Sequence, residues 1–415
     1  MRLLFLSNLY PPHDMGGFEQ WCEEVAVRLR QRGHKVRVLT SCYGLNSALP
    51  AEQDVIRTLH LQADVYHYRP LDFFLRRPRQ EKSNERQLRQ AIGEFVPDRV
   101  VVWGMWNLSH WLPYWAEKWM PGRVAYYIAS YWPADPDIHR QYWELAAHRP
   151  LVNTLKRPVK SLALGQLRRE KYPPALHFEH AICCSRYVRD TLVQAGKLPA
   201  SAGVLFGGID VEPFLRNQPS DSKEQAGPLR LLYCGSLLPH KGVHTAIEAM
   251  GILKERGMYE HAELTLLGGG HPEYEARLRE VAERLGVDKK VHFAGRVPRD
   301  EIPSRLADFD VFLFTSVWAE PMARSVMEAM AAGLLVIGSE VGGQLEMLVN
   351  GQNALTFRPE DAVGLADHIV HVIAAPALRR ELARAGRQMV LERFNLHRMV
   401  TEIEQWLVAI SLTAS

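Results

Sequence analysis

Short, continuous apolar runs recur along the whole chain, separated by longer stretches in which apolar residues return every three or four positions. In the first half the runs are Leu3–Leu6, Val36–Leu39, Val100–Trp103, Val124–Ile128, Ala181–Cys184 and Val204–Phe206. In the second half they are Leu229–Cys234, Leu264–Leu267, Val291–Phe293, Val311–Phe314 and Leu334–Ile337. Predominantly continuous rather than alternating hydrophobicity suits parallel strands covered on both faces. The segments between them are long enough for crossover helices. One such helix is marked by Phe18, Cys22, Val25, Ala26 and Leu29, and Gly33 terminates it. The pattern predicts an α/β fold of doubly wound parallel sheets. The polar stretch RNQPSDSKEQAGP (Arg216–Pro228) has no periodicity and reads as a linker between domains at 1–215 and 229–390. Two Rossmann-like domains facing across a cleft follow, with a ligand at the carboxyl ends of the strands. Residues 391–415 are expected to form an amphipathic helix that packs back toward the first domain, with Met389, Phe394, Met399, Ile403 and Trp406 as packing residues.

Composition narrows the function classes. The 50 basic and 47 acidic residues leave a net charge of +3, too small an excess for a dedicated nucleic-acid binder. Five cysteines, an odd number without CxxC spacing, suit a reducing compartment, and the adjacent Cys183-Cys184 pair in an apolar run reads as small buried hydrophobes. The opening MRLLFLSNLYPP is too short an apolar run for a signal peptide, and no run approaches the roughly 20 apolar residues of a membrane span. A cytoplasmic location is expected. Two basic stretches, Arg76–Arg89 and Lys156–Lys171, the second interleaved with Leu162, Leu164 and Leu167, allow peripheral contact with the inner face of a membrane. Solvated charged helices are the alternative.

The segment FDVFLFTSVWAEPMARSVMEAMAAG, residues 309–333, is richest in candidate chemistry. A buried strand is expected to end near Thr315, and Glu320-Pro321 to open a helix that Gly333 closes. Proline suits the first helical position because its missing N–H is not needed there. The N–H groups of Met322, Ala323 and Arg324 would then face outward with the positive end of the helix dipole, an anion site suited to a diphosphate. Glu328 would sit about 12 Å further along the axis than Glu320. Two carboxylates flanking a phosphate site match a sugar–diphosphate–ribose in length. An acidic helix cap followed by a solvated glutamate has the same spacing.

Glu320 and Glu328 form an E-x7-E pattern, and EPMARSVMEAMAAG resembles the signature of family 4 retaining GT-B glycosyltransferases. The resemblance continues in order through YPPHDMGGFEQWCEEVAVRLRQRGHKVRVLT (10–40), FGGID (206–210), GSLLPHKG (235–242), VHFAGRV (291–297), VGGQLEMLVNGQNAL (341–355) and ERF (392–394). It implies the GT-B fold and transfer of a sugar, with retention, from a UDP- or GDP-sugar to a glycan, lipid-linked or small-molecule acceptor. No cofactor and no metal are implied; 308-DFD-310 resembles a DxD motif but opens a buried strand. By this resemblance Glu320 and Lys241 would be catalytic, Glu320 against the donor sugar and Lys241 on the leaving diphosphate, where stabilising developing charge is usually the largest catalytic effect. Glu328 would bind the ribose hydroxyls. The amides of Met322, Ala323, Arg324 and Ser325 would hold sugar and phosphate, with Ser236, Arg296 and Val297 completing the donor site. Gly16 and Gly17, ahead of a helix, let their amides approach the phosphate or sugar.

Departures from the family pattern bear on the chemistry. Ser236 stands where the family often has an arginine paired with the lysine, and Arg324, where an aliphatic residue is usual, would supply the missing charge. Ala129 and Ser130 follow the strand after which the family's acceptor-side histidine commonly falls; His110 and His13 are candidate substitutes, with a purely structural role as the alternative for each. In front-face transfer the leaving phosphate oxygen takes the acceptor proton, so no histidine is required. Seven of the ten tryptophans lie between Trp103 and Trp143. Trp111, Trp115 and Trp119 share a helical face suited to core packing. Trp103, Trp106 and Asn107 sit at the carboxyl end of a strand, and Trp106, Asn107 and Ser130 are the candidate acceptor contacts. Two other readings fit the same residues: a sugar-nucleotide 2-epimerase, and a degenerate transferase kept as a nucleotide-sugar-binding scaffold.

Overall fold

The computed structural model describes residues 1–13, 16–45, 53–145, 150–216 and 227–412. The chain divides into two units, Met1–Leu205 with Val400–Ser415, and Phe206–Met399. The first holds β1 (Arg2–Ser7), β2 (Lys35–Ser41), β3 (Val55–Leu59), β4 (Arg99–Gly104), β5 (Val124–Ile128), β6 (His180–Cys183) and β7 (Gly203–Val204). These strands lie in the order β3-β2-β1-β4-β5-β6-β7 and are parallel throughout. The second unit holds β8 (Leu229–Cys234), β9 (Ala262–Leu267), β10 (Val291–Gly295), β11 (Val311–Phe314), β12 (Leu335–Ser339) and β13 (Leu355–Phe357). Their order is β10-β9-β8-β11-β12-β13, again all parallel. Both orders reverse once, between β1 and β4 and between β8 and β11, as in Rossmann-like sheets. The α/β class and doubly wound topology are those expected. The sequence pattern missed β3, half-buried and carrying Arg57, and the three-residue β13.

The helix Gly17–Gln31 buries Trp21, Cys22, Val25, Ala26 and Leu29, the face its periodicity predicts. All five cysteines are free thiols, with Cys22, Cys183 and Cys184 buried. Among the described residues no single helix is long and apolar enough to cross a membrane. Leu167 is buried and Leu164 packs beside it on a cluster of Phe73, Trp143, Ala163 and Tyr172, while Leu162 is 62% exposed. The apolar stripe expected to face a membrane on helix Pro150–Arg169 is therefore largely core.

Residues 217–226 of the expected linker lie outside the described residues. The unit boundary falls earlier than the polar stretch, at Phe206, and hydrogen bonds explain why. The Ile209 amide donates to the Phe394 carbonyl at 2.9 Å, and the Leu396 amide donates to the Ile209 carbonyl at 2.8 Å. Arg398 Nη2 donates to the Phe206 carbonyl at 2.7 Å. The FGGID turn is thereby tied to the second unit. Residues 391–415 are not one helix: Pro376–Arg393 ends at Phe394, and Leu396–Leu412 starts after Asn395. The Asn395 side chain accepts from the Arg398 amide at 2.8 Å, an N-cap bond. From Val400 the helix belongs to the first unit. There Glu404 takes Arg32 Nη1 at 2.7 Å and His34 Nε2 at 2.6 Å.

Two imidazoles are enclosed in the first unit. His110 lies against Trp132 at 5.1 Å and Tyr172 at 6.2 Å, and burial pushes its pKa down to about 4. Burial, assisted by Arg77, pushes His139 down to about 3. Unfolded histidines titrate near 6.5, so as pH falls from there toward 4 the unfolded chain gains protons that the folded chain refuses. This stability is full above pH 6.5 and is lost as pH drops through the folded values. We expect the urea midpoint to fall between pH 6.5 and 4.5, and His110→Phe to flatten that slope by up to about 1.4 kcal/mol per pH unit. Parallel slopes in tryptophan-fluorescence titrations of both proteins would contradict this.

Candidate active site

The switch point of the second sheet gathers several side chains held by hydrogen bonds from three loops. After β8 the chain makes the turn Pro239–Lys241, passes Gly242, and enters helix Val243–Glu255. The loop after β11 runs beside this turn. Thr315 Oγ1 donates to the Lys241 carbonyl at 2.9 Å, Ser316 Oγ to the His240 carbonyl at 3.2 Å, and the Val317 amide to that same carbonyl at 3.0 Å. Gly242 has φ +62°, and a Cβ there would overlap the Thr315 carbonyl, so only glycine allows the approach. From the other side, Ser339 Oγ donates to the Ser316 carbonyl at 2.6 Å, and the Gly343 amide donates to the Glu320 carbonyl at 2.8 Å.

Between these clamps Glu320, 7% exposed, ion-pairs with Lys241 and accepts from Ser316 Oγ at 3.1 Å. Lys241 Nζ also stands 5.8 Å from the Trp318 ring centroid, within cation–π range. The electrostatics of the pair reach its neighbours. Burial, then Glu320, pushes the Tyr233 phenol up. Burial, then Lys241, pushes His240 down.

The helix expected to open at Pro321 instead spans Arg324–Ala331, with Ala323 as its extended N-cap. The Glu320 carbonyl, which would accept the first bond of a longer helix, is taken by the Gly343 amide. Met322 and Ala323 therefore lie in the preceding loop, and the first-turn amides are those of Arg324, Ser325 and Val326. Glu320 and Glu328 do not share one helix, so the expected axial separation does not apply. Glu328 points between Arg299 Nη2 at 3.5 Å and Arg324 Nε at 3.8 Å. The Arg324 charge is thus beside Glu328. Cys234, the last residue of β8, is pushed up to about 12 by burial and then by Glu328.

Ser236, Arg296 and Val297 line the carboxyl ends of β8 and β10. Ser236 is exposed, and its carbonyl accepts from the Tyr233 hydroxyl at 2.9 Å. The Leu237 amide donates to the Gly269 carbonyl at 3.1 Å. A Cβ on Gly269 would sit 3.0 Å from Arg296 Nε, so the exposed Arg296 lies across that loop. Val297 is half-buried. Asp310, by contrast, precedes β11 at its amino end and pairs with Arg230 at 3.1 Å, away from the carboxyl-end site.

In the first unit Gly16 is the extended N-cap and Gly17 the first residue of helix Gly17–Gln31. Sequence reasoning missed Glu19, whose only signal was its place within the opening motif. It is 3% exposed and accepts from Trp106 Nε1 at 3.2 Å, which brings Trp106 to the glycine helix start. Ser130 follows β5, half-buried. Asn107 is fully buried and its amide is spent on Ala63, donating at 2.9 Å and accepting at 3.1 Å; it holds a loop and is closed to an acceptor. Trp103 is core, stacked on Tyr127 at 4.4 Å. Trp111, Trp115 and Trp119 form a half-buried stacked row, at 6.0 Å and 6.2 Å, while Leu112, Pro113 and Ala116 bury the helix. His110 is the core histidine described above, and the half-buried His13 meets the edge of Tyr43 at 6.2 Å.

Two family models match the chain, "Glycosyltransferase Family 4" over residues 15–213 and "Glycosyl transferases group 1" over residues 216–389. This chain is a family 4 glycosyltransferase of the GT-B fold. A glycogen synthase of Mycobacterium tuberculosis is 27% identical to the transferase over 98% of this chain and 94% of its own. Among solved structures, the sucrose-phosphate synthase of Thermosynechococcus elongatus has a TM-score of 0.74 at 20% identity, over 100% of both chains. Anabaena Alr3699/HepE, solved in complex with UDP, has a TM-score of 0.70 at 20% identity, covering 99% of this chain and 100% of its own. Within the transferase, Gly242→Ala is expected to cost roughly 1–3 kcal/mol through its left-handed backbone and the overlap with Thr315. Ser236→Ala, on an exposed turn, is expected within about 0.5 kcal/mol of wild type. Chemical-denaturation curves of the two variants test the contrast.

Proposed function

We propose that this glycosyltransferase draws on a UDP- or GDP-sugar and transfers the sugar with retention, without a metal, to a glycan, lipid-linked or small-molecule acceptor. The observation that carries this reading is the contact between half-buried Lys241 and buried Glu320 at the switch point, ahead of the first turn of helix Arg324–Ala331, which also carries Glu328. A donor seated there exchanges partners with the pair. Its diphosphate takes the Lys241 ammonium and the first-turn amides, while Glu320 is released toward the sugar hydroxyls. Glu328 takes the ribose diol. As the bond from the anomeric carbon to the diphosphate oxygen breaks, the acceptor oxygen bonds to that carbon on the same face. Its proton passes to the departing phosphate oxygen. Lys241 and the helix amides supply the charge neutralisation otherwise asked of a metal. The UDP complex of the Anabaena relative supports a uridine donor; the similarity to a human GDP-mannose-dependent mannosyltransferase, 28% identical over 51% of this chain and 44% of its own, supports a guanosine one. A cytoplasmic location at the inner membrane face accompanies a lipid-linked acceptor, resting on the cations of helices Arg77–Phe95 and Pro150–Arg169.

Calorimetric titration with UDP-, GDP-, ADP- and dTDP-sugars tests the donor reading. One nucleotide is expected to bind clearly, and Glu328→Ala to weaken it by about 1–3 kcal/mol, the loss of hydrogen bonds to a charged group. Failure of every sugar nucleotide to bind wild type would overturn the donor site.

A further inference from the structure

We propose that a cavity in the first unit, at the carboxyl ends of β2 and β3, is a saccharide subsite that holds a distal sugar of the acceptor. Its assignment to the acceptor rests on the transferase reading; the saccharide site itself does not. The cavity is about 250 Å³ and lies beneath helix Pro70–Leu75. That volume falls just below the roughly 300–1,000 Å³ of pockets for drug-sized ligands and suits one pyranose ring rather than a nucleotide. In the strand order β3-β2-β1-β4, β3 stands three strands from β4, roughly 14 Å at ordinary strand spacing. The loop after β4 nevertheless reaches the cavity wall, where Asn107 exchanges amide bonds with Ala63, so a sugar in the cavity adjoins one held at Trp106 and continues the acceptor from it.

The walls are pre-formed. The buried Asn84 fixes the loop after β3, accepting from the His60 amide at 2.8 Å and donating to its carbonyl at 2.9 Å. Tyr68 is stacked on Tyr142 with centroids 4.0 Å apart, and its hydroxyl meets His139 Nδ1 at 2.9 Å. Rigid walls spare a weak ligand the cost of ordering its site.

Charge selects the ligand class. The lining holds two arginines, Arg69 and Arg76, and two aspartates, Asp64 and Asp72. Burial lowers the pKa of His60 and takes that of His139 to about 3. Asp72 Oδ1 lies 3.3 Å from Arg76 Nε, and Asp64 Oδ1 accepts the Tyr66 and His67 amides at 3.0 Å and 3.2 Å. Arginine and aspartate balance, which argues against a phosphate or a nucleotide. A sugar's vicinal hydroxyls both donate and accept, matching carboxylates set beside guanidinium donors. Tyr43 and Tyr68, both half-buried, add the apolar surface that the C–H face of a pyranose covers.

Saturation-transfer NMR with methyl α-mannopyranoside, methyl α-glucopyranoside and methyl β-galactopyranoside tests the site, with inorganic phosphate followed in parallel. At least one hexoside is expected to bind at millimolar concentration. Tyr43→Ala and Asp72→Asn should each reduce its affinity by about fivefold, the worth of one ordinary contact. Arg76→Gln, on a side chain 63% exposed, keeps the test valid where either of those variants misfolds. No hexoside binding, hexoside binding unchanged in all three variants, or phosphate binding that the variants abolish would each overturn the proposal. Wild type that binds a hexoside but no sugar nucleotide removes the transferase reading and keeps the site. Binding of nucleotide alone does the reverse.

Discussion

A carboxylate as deeply enclosed as Glu320, 7% exposed, is tolerated only when it is paired and hydrogen-bonded. That requirement reaches through the second unit. The partner Lys241 comes from the neighbouring strand's turn, so β8 and β11 must be adjacent and their loops must touch. Contact between the loops needs a residue without a side chain at Gly242 and a hydroxyl at Thr315. The third clamp, from Gly343, takes the carbonyl that would have extended the helix and so decides where that helix begins. Removing Lys241 strands the buried carboxylate, a loss of typically about 3–5 kcal/mol, which ties site integrity to folding.

Continuous apolar runs made both sheets legible, because strands covered on two faces leave no alternation to misread. They failed where burial is one-sided or brief: β3 is mostly half-buried, and β13 is three residues long. The ordered motifs located Lys241, Glu320 and Glu328, and the structure brings Lys241 and Glu320 into contact. The helix start was misplaced because proline at a first helical position is a local signal, overridden by a bond from Gly343, more than twenty residues further on. The boundary at Phe206 escaped for a like reason. Polarity marked residues 216–228, but the FGGID turn is held by backbone bonds to Phe394 and Leu396 that composition does not encode.

Side-chain roles in the first unit were the least legible. Asn107 and Trp103 sit at the carboxyl end of β4 as expected, yet one is spent on Ala63 and the other on Phe5, Phe18 and Tyr127. Position on a strand fixes which edge a residue occupies; whether its polar atoms are already used depends on loops distant in sequence. Glu19 illustrates the converse. An acidic residue in the first turn of a helix reads as a favourable surface charge, and only the fold shows it enclosed beneath Trp106.

The first unit is interrupted by the whole of the second and is resumed only at Val400. Glu404, which receives Arg32 and His34, is therefore joined to residues made some 370 positions earlier. Domains fold largely as units while a chain emerges from the ribosome, and Phe206–Met399 has every residue of its sheet available before Glu404 is added. The nascent first sheet must wait, its Arg32–His34 corner uncapped, until translation has passed the second unit entirely. Order of synthesis and order of completion are reversed: the unit begun first is the one finished last.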